Sequence, residues 1–312
     1  MRILVTGGAG FIGSLVADAY LGAGHHVAVV DALEGNGQNR APRSATFYRE
    51  DIRRPALAEV FRQERPDVVS HHAAQVNLRR SLEDPVGDAE TNVLGTVRVL
   101  DLAVRFGAKQ VIFASTGGAV YGEPRALPVG EDHPILPTAP YGLHKYLGEQ
   151  SLDYYRRVHG LGTVVLRYSN VYGPRQDATT EAGVVAIFVD ALLSGRSPVI
   201  FGDGTQTRDF VYVEDVAEAN LRVLGRTIEE PMHIASGTET SVNDLCARLR
   251  ALTRTTVEAV HGPPVPGEVH RICLRVGRAE ALLGWRPRVR LEEGLRRTVE
   301  WFMAERSTVR DR

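Results

Sequence analysis

The sequence predicts a doubly wound α/β fold, a parallel sheet with helices on both faces, extended by a smaller α/β lobe that binds substrate. Three observations carry this. Apolar runs of strand length alternate with amphipathic stretches from the first residues to about Tyr168. A glycine-rich turn, Gly7-Gly8-Ala9-Gly10-Phe11-Ile12-Gly13, joins the first run to the first amphipathic stretch. Beyond Tyr168 the alternation gives way to segments rich in Gly, Pro and Arg, among them Gly173-Pro174-Arg175, Gly202-Asp203-Gly204-Thr205 and Gly262-Pro263-Pro264. Strands that alternate with helices are joined by crossovers, and crossovers make parallel sheets.

In chain order, Ile3–Thr6, Val27–Asp31, Thr46–Tyr48, Val68–His71, Val111–Ala114 and Thr163–Arg167 read as short buried strands. Their near-continuous apolar character is that of a sheet covered on both faces. Between them Phe11–Leu21, Leu57–Glu64, Asp88–Phe106 and Pro140–Val158 read as helices. These elements place a nucleotide-binding domain at 1–168 and a mainly substrate-binding lobe at 169–312, with a segment near 213–235 returning to the large sheet.

Composition excludes several classes. With 43% hydrophobic and 24% charged residues and a formal net charge of −1, the chain has the balance of an ordinary globular protein. Neither nucleic acid nor an anionic membrane is an expected partner. No apolar run is long enough to span a bilayer, and no secretory leader opens the sequence. Cys246 and Cys273 form no spacing motif and read as buried thiols in a reducing compartment, so the expected location is cytoplasmic. No histidine pair has ligand spacing with carboxylate or cysteine support, and no metal is expected.

The glycine turn lies between a strand and a helix, the setting in which glycines let the backbone turn tightly and approach a pyrophosphate at a helix N-terminus. Gly7, Gly10, Phe11, Ile12 and Gly13 are the candidate loop residues. Asp31 ends the second strand 18 residues after Gly13, where an acid accepts from an adenosine ribose. No arginine follows it at once, which favours NAD over NADP. Asp51 and Ile52 follow the third strand and are candidates for the adenine edge, although an exposed loop acid fits Asp51 as well. In His71-His72-Ala73-Ala74 the small residues, Ala73 first, allow close approach to the cofactor, and the histidines read as structural.

Tyr141 and Lys145 stand one helical turn apart on one face. An ammonium there would favour the phenolate of a tyrosine whose ordinary pKa is about 10. The strand Val111–Ala114 runs into Ser115-Thr116-Gly117-Gly118-Ala119-Val120-Tyr121-Gly122, placing hydroxyls at the carboxyl edge of a central strand, where open α/β sheets bind ligands. A hydroxyl, a tyrosine and a lysine beside a dinucleotide make a proton-transfer unit for redox chemistry at an alcohol or ketone.

The chain resembles the extended short-chain dehydrogenase/reductases, Rossmann-type proteins, and within them the UDP-galactose 4-epimerase-type nucleotide-sugar epimerases. The resemblance runs through the glycine turn, Asn92-Val93-Leu94-Gly95-Thr96, Ser115–Gly122, Pro140–Lys145, Arg167–Arg175, Gly202–Phe210 and Leu283-Gly284-Trp285-Arg286-Pro287. It implies transient NAD-dependent oxidation at C4 of a UDP-hexose with Tyr141 as base, then hydride return to the opposite face. It implies that Asn92, Tyr141 and Lys145 also contact the cofactor, that Asn170 and Arg208 meet the substrate diphosphate, and that Glu268 meets the uridine ribose. It also implies a homodimer, to which Tyr154 and Tyr155 are candidate contributors.

Related dehydratases and decarboxylases carry an acid just before Val-Tyr-Gly, where this chain has Gly118-Ala119, so epimerisation is the chemistry left. Three positions depart from the pattern. Gly117 occupies the usual serine position, leaving Thr116, or else Ser115, to supply the hydroxyl. Val265 stands for an expected arginine, for which Arg271 is the candidate replacement. Leu274-Arg275 replaces the usual Leu-Asp. Arg175 lies in the loop near the expected hexose C6; it fits recognition of a C6 carboxylate, which adds UDP-glucuronate to UDP-glucose and UDP-galactose, and it fits a structural loop arginine equally. A nucleotide-sugar reductase or dehydrogenase using NAD(P), and a non-catalytic dinucleotide-binding protein, are the alternative readings.

Overall fold

The computed structural model describes residues 1–33, 40–179, 183–265 and 269–310. Its first part contains β1 (Arg2–Thr6), α1 (Phe11–Gly22), β2 (His26–Asp31), β3 (Thr46–Arg49), α2 (Leu57–Glu64), β4 (Val68–His71), α3 (Leu78–Glu83), α4 (Pro85–Ala89), α5 (Thr96–Arg105), β5 (Gln110–Thr116), α6 (Pro140–His159) and β6 (Gly162–Tyr168). The remainder contains β7 (Asn170–Tyr172), α7 (Val184–Leu193), β8 (Val199–Phe201), β9 (Thr207–Tyr212), α8 (Val213–Arg222), β10 (Met232–Ile234), β11 (Glu239–Ser241), α9 (Val242–Thr253), β12 (Val260–Gly262), α10 (Gly277–Leu283) and α11 (Leu291–Arg310).

Seven parallel strands in the order β10-β6-β5-β4-β1-β2-β3 form the main sheet. The two-residue period of a strand divides their apolar side chains between two cores. Ile3, Val5, Val27, Val29, Ile112 and Leu166 face α1 and α8 through Val16, Tyr20 and Val216. Leu4, Val30, Val69, Val111 and Phe113 face α2 and α5 through Leu57, Phe61 and Leu100. Each fully buried side chain of this size contributes about 1.5–3 kcal/mol. A sheet buried on both faces has no alternating polar residues, which is why its strands read as continuous apolar runs.

The chain returns to this sheet after entering the smaller lobe: α8 packs on α1, and β10 pairs with β6 at the sheet edge. The lobe has its own core around Phe188, Phe210, Leu245, Leu249 and Leu295. Among its described residues are a three-stranded sheet, β11-β9-β7, and a two-stranded one, β12-β8.

The run 88–106, which the sequence suggests is one helix, is divided. Between α4 and α5 the residues Glu90–Gly95 form a π-helical turn. Thr96 Oγ1 donates back to the Asn92 carbonyl at 2.7 Å, and Gly95 lies against Ile52, whose Cδ1 would stand 2.7 Å from an added Cβ. Such turns occur frequently at functional sites. Helix α6 starts at Pro140, which is pre-set for the first helical position, and stops at Gly160, which is left-handed at φ +65°. Arg156, Arg157 and His159 in its last turn complement the helix dipole.

Candidate active site

The glycine turn sits at the carboxyl end of β1. Gly7 N–H donates to the Val30 carbonyl at 2.7 Å. At φ +69°, a Cβ on Gly7 would lie 2.5 Å from the Ala73 nitrogen; one on Gly13 would lie 2.2 Å from the Gly7 oxygen. Both glycines are therefore required by close backbone approach. Helix α1 begins at Phe11 and Ile12 with no side-chain cap and no acid in its first turn, so no carboxylate of its own first turn compensates the positive end of its dipole. The Asp31 carboxylate accepts from Ala9 N–H (3.0 Å) and Leu33 N–H (2.9 Å), which aim it at the loop while leaving acceptor capacity. These residues fit a dinucleotide: a backbone cradle for pyrophosphate and an acceptor for ribose hydroxyls. The Asp51 carboxylate is clamped by the Arg53 guanidinium at 2.6–3.0 Å, while the buried Ile52 supports Gly95.

Strand β5 carries the hydroxyls. In register with β6, Ser115 lies opposite Arg167 and Thr116 opposite Tyr168, and the two side chains approach different turns of α6. Thr116 lies close enough to the Tyr141 phenol for its hydroxyl to lower the phenol's pKa. Ser115 Oγ instead donates to the buried Glu149 carboxylate at 2.5 Å. The structure thus pairs Tyr141 with Thr116 and turns Ser115 away, a correction to its candidacy. Gly117 has a packing reason: a Cβ there would stand 2.3 Å from Leu274 Cδ1. Gly117, which departs from the pattern, thus packs on Leu274, the leucine that the pattern retains.

Burial drives the phenol of Tyr141 well above its ordinary pKa, and the Asp88 charge raises it further, while the Thr116 hydroxyl lowers it. Burial brings Lys145 down to about 8, opposed by the charges of Asp88 and Glu149. Its ammonium donates to the Ala114 carbonyl at 2.7 Å and stands 4.7 Å from the centre of the Phe113 ring. His71 bridges Thr6 (2.6 Å) and Thr96 (3.1 Å), linking β1, β4 and α5, and His72 bonds Ser70 at 2.9 Å. Burial lowers both imidazoles, His72 to about 3.

Asn92 is buried in the π-helical turn. Its Oδ1 accepts from Gln75 N–H (3.0 Å) and its Nδ2 donates to the Gln75 carbonyl (2.9 Å) and to Asp88 (3.1 Å). Gln75, Ser81, Asp88 and His144 are residues of this site that sequence reasoning missed. Ser81 Oγ accepts the Tyr141 backbone N–H at 3.2 Å. The signals were present: Asp88 precedes Asn92 by one helical turn, and His144 directly precedes Lys145.

In the lobe, Asn170 opens β7, and its Oδ1 would lie 3.7 Å from a Cβ on Gly118. Arg208, on β9, donates to the Thr207 carbonyl at 2.8 Å and the His270 carbonyl at 3.4 Å. Arg271 is bound at two atoms by Glu239, at 3.0 and 2.7 Å. Glu268 lies outside the described residues. Arg175 is left-handed at φ +71° and its guanidinium meets Asp18 of α1 at 2.7 Å and Ser14 at 3.3 Å. Of its two readings, the structural one fits: Arg175 fastens the lobe loop to the cofactor helix. Arg40, whose N–H donates to the Ala9 carbonyl, meets Asp177 of the same loop at 3.4 Å.

A doubly wound parallel sheet, an open glycine turn and a Tyr141–Lys145 pair beside a strand-end hydroxyl define a nicotinamide-dinucleotide-dependent enzyme of the short-chain dehydrogenase/reductase kind. More closely, residues 3–235 match the NAD dependent epimerase/dehydratase family, and the chain belongs to it. A UDP-glucose 4-epimerase of Mycolicibacterium smegmatis is 42% identical over 308 residues, covering 97% of this chain and 98% of that one. The crystal structure of Thermotoga maritima UDP-glucose 4-epimerase with UDP-glucose superposes with a TM-score of 0.95 at 44% identity, over 99% of this chain and 100% of that one. The Thermus thermophilus UDP-glucose 4-epimerase complex with NAD gives 0.93 at 40% identity, over 97% and 99%.

Proposed function

We propose that this protein interconverts UDP-glucose and UDP-galactose by inverting C4, with NAD retained. The observation that carries it is the approach of the Thr116 hydroxyl to the Tyr141 phenol at the end of β5, which lowers the phenol's pKa against burial, in a site where Gly118 and Ala119 supply no acid for elimination. NAD, when bound, supplies oxidation of C4 to a ketone and its reversal. Tyr141 takes the O4 proton during oxidation and returns it during reduction; Thr116 holds O4 in reach. Lys145 supplies positive charge that favours the phenolate. Hydride removed from one face and returned to the other leaves no net redox change. Gly7, Gly10, Gly13, Phe11, Ile12, Asp31, Asp51, Ile52, Ala73 and Asn92 form the cofactor side, and Asn170, Arg208, Glu268 and Arg271 the nucleotide-sugar side. Arg271 is also committed to Glu239.

Engagement of Arg175 by Asp18 favours hexoses with a neutral C6 over UDP-glucuronate. The two ion pairs that bind the 173–179 loop to the glycine-turn region favour retained over exchanging NAD, and so an epimerase over a reductase. We place cofactor binding in 1–168 with the 213–235 return, and substrate binding mainly in 169–312. Homodimerisation is supported by an exposed apolar stripe on α6, Leu143, Leu147, Tyr154 and Val158, continued by Val86 and Leu94. Two buried free thiols accord with the cytoplasm; among the described residues no helix is long and apolar enough to cross a membrane.

Proton NMR of UDP-glucose, UDP-galactose and UDP-glucuronate with purified protein and no added cofactor tests this. The expected result is interconversion of the first two with bound NAD retained. Turnover that consumes added NAD(P)H stoichiometrically would replace the reading with a reductase.

A further inference from the structure

The chain has two lysines, Lys109 and Lys145, against thirty-five arginines. Lys109 is exposed. The amine in the buried site is therefore an exception to a chain that meets its other needs for positive charge with guanidinium. Lysine differs from arginine in having a charge that its surroundings can remove, so what holds the charge on Lys145 matters to the site.

The titratable neighbours of Lys145 are Tyr141, His144 and Glu149 on its own helix, Asp88 on α4, His71 at the end of β4 and His72 just beyond it. Burial lowers both histidines, His72 to about 3, so they bring no positive charge at neutral pH. Two carboxylates are left to balance the ammonium. Glu149 is gripped at both oxygens by the Arg167 guanidinium, at 2.9 and 2.6 Å, and accepts from Ser115 as well, so its charge is already paired. Among the described residues no guanidinium pairs with Asp88. Its Oδ1 accepts from the Gln75 and Asn92 side-chain amides at 2.6 and 3.1 Å, and its Oδ2 from His144 Nδ1 at 2.5 Å. Its side chain is fully buried. Three donors fix this carboxylate without an arginine to cancel its field.

We propose that Asp88, fixed by Gln75, Asn92 and His144, is a positioning residue whose buried negative charge is the counter-charge of the Lys145 ammonium. The same contacts hold the first turn of α6 against α4 and the π-helical turn, so one cluster sets both the charge and the placement of the tyrosine–lysine pair. The field of Asp88 reaches Tyr141 and Lys145 with the same sign, favouring the protonated form of each.

The holoenzyme labelled with carbon-13 lysine gives two Cε resonances, and exposed Lys109 serves as internal reference. Wild-type Lys145 is expected to titrate near 8, and D88N to move that midpoint down by about one pH unit. H144A, which keeps the carboxylate but removes a donor that fixes it, moves the midpoint in the same direction by less. H144Q, which restores an N–H donor, brings it back, and this pair decides the matter if D88N fails to fold. The inference rests on the epimerase reading for its catalytic meaning: in the active enzyme both limbs of the kcat–pH bell slide to lower pH in D88N, with the KM for UDP-galactose unchanged. Wild-type enzyme without turnover would overturn the function, while the lysine titration would still decide the role of Asp88. A Lys145 midpoint that stays in place in D88N and H144A, or a bell that sinks without sliding, overturns the inference and leaves Asp88 a structural residue.

Discussion

Two adjacent hydroxyls on β5 have different fates because they approach different turns of α6. Thr116 meets Tyr141, and Ser115 meets Glu149. Mutation should separate them. Y141F is expected to lower kcat by at least ~100-fold, the scale of a lost general base. T116V should cost ~100-fold by removing a donor aimed at the reacting oxygen, with T116S recovering most of it. S115A should leave kcat within about threefold and lower stability by only ~0.5–1.5 kcal/mol, the worth of one lost hydrogen bond, because Arg167 still donates to the same Glu149 oxygen, read by thermal melting. Gly117 is governed by packing. G117S drives a Cβ into Leu274 and should cost ~1–3 kcal/mol through overpacking, relieved in G117S/L274A. Equal melting of G117S and wild type would show that Leu274 can swing clear.

Elements cooperate through buried polar links as much as through apolar faces. Arg167 of β6 binds Glu149 of α6 at two atoms and donates to the Tyr121 hydroxyl at 2.7 Å, which in turn meets His233 of β10 at 2.5 Å. Truncating one partner strands the other's charge in the core, so R167A is expected to lose ~3–5 kcal/mol of stability, measured by urea denaturation. A loss below ~1 kcal/mol would mean that water reaches the pair. The same distinction explains what was legible in the sequence. Strands β1, β2, β4, β5 and β6 announced themselves because burial on both faces makes them uniformly apolar, and the Tyr141–Lys145 spacing placed its own side chains. The π-helical turn at Glu90–Gly95 was not legible, because its side-chain pattern is that of a continuous helix and its cause lies in contacts such as Gly95 on Ile52. Asp88 and His144, 56 residues apart in sequence, form a pair that only the packing of α4 on α6 creates. Arg175 read equally toward the sugar and toward its own loop; its ion pair with Asp18 of α1 depends on packing that the sequence does not display.

Across the whole molecule, the buried His71 and His233 and the half-buried His72 tie the end of β4 and strand β10 into the sheet and, with them, make the fold sensitive to acid. His71 lies between Thr6 and Thr96, His72 on Ser70, and His233 between the Tyr121 hydroxyl and the Arg275 carbonyl. Burial lowers all three imidazoles, His72 and His233 to about 3 and His71 well below its ordinary value. In the unfolded chain each takes a proton near pH 6.5, whereas in the folded protein each stays neutral well below that, His72 and His233 until about pH 3. Across that window the unfolded state therefore binds more protons, and stability must rise with pH. Their contribution is fully present above 6.5 and is lost progressively below it. Each histidine weighs ~1.4 kcal/mol per pH unit once its unfolded form is fully protonated, so the three together give a slope of ~4 kcal/mol per unit below about pH 5.5. A domain stable by ~5–15 kcal/mol should then unfold cooperatively between roughly pH 5 and 3. Urea midpoints recorded from pH 7 to 4 check this. A slope flatter than ~1.4 kcal/mol per unit across pH 5.5–4 would mean that at least two of these imidazoles charge inside the fold.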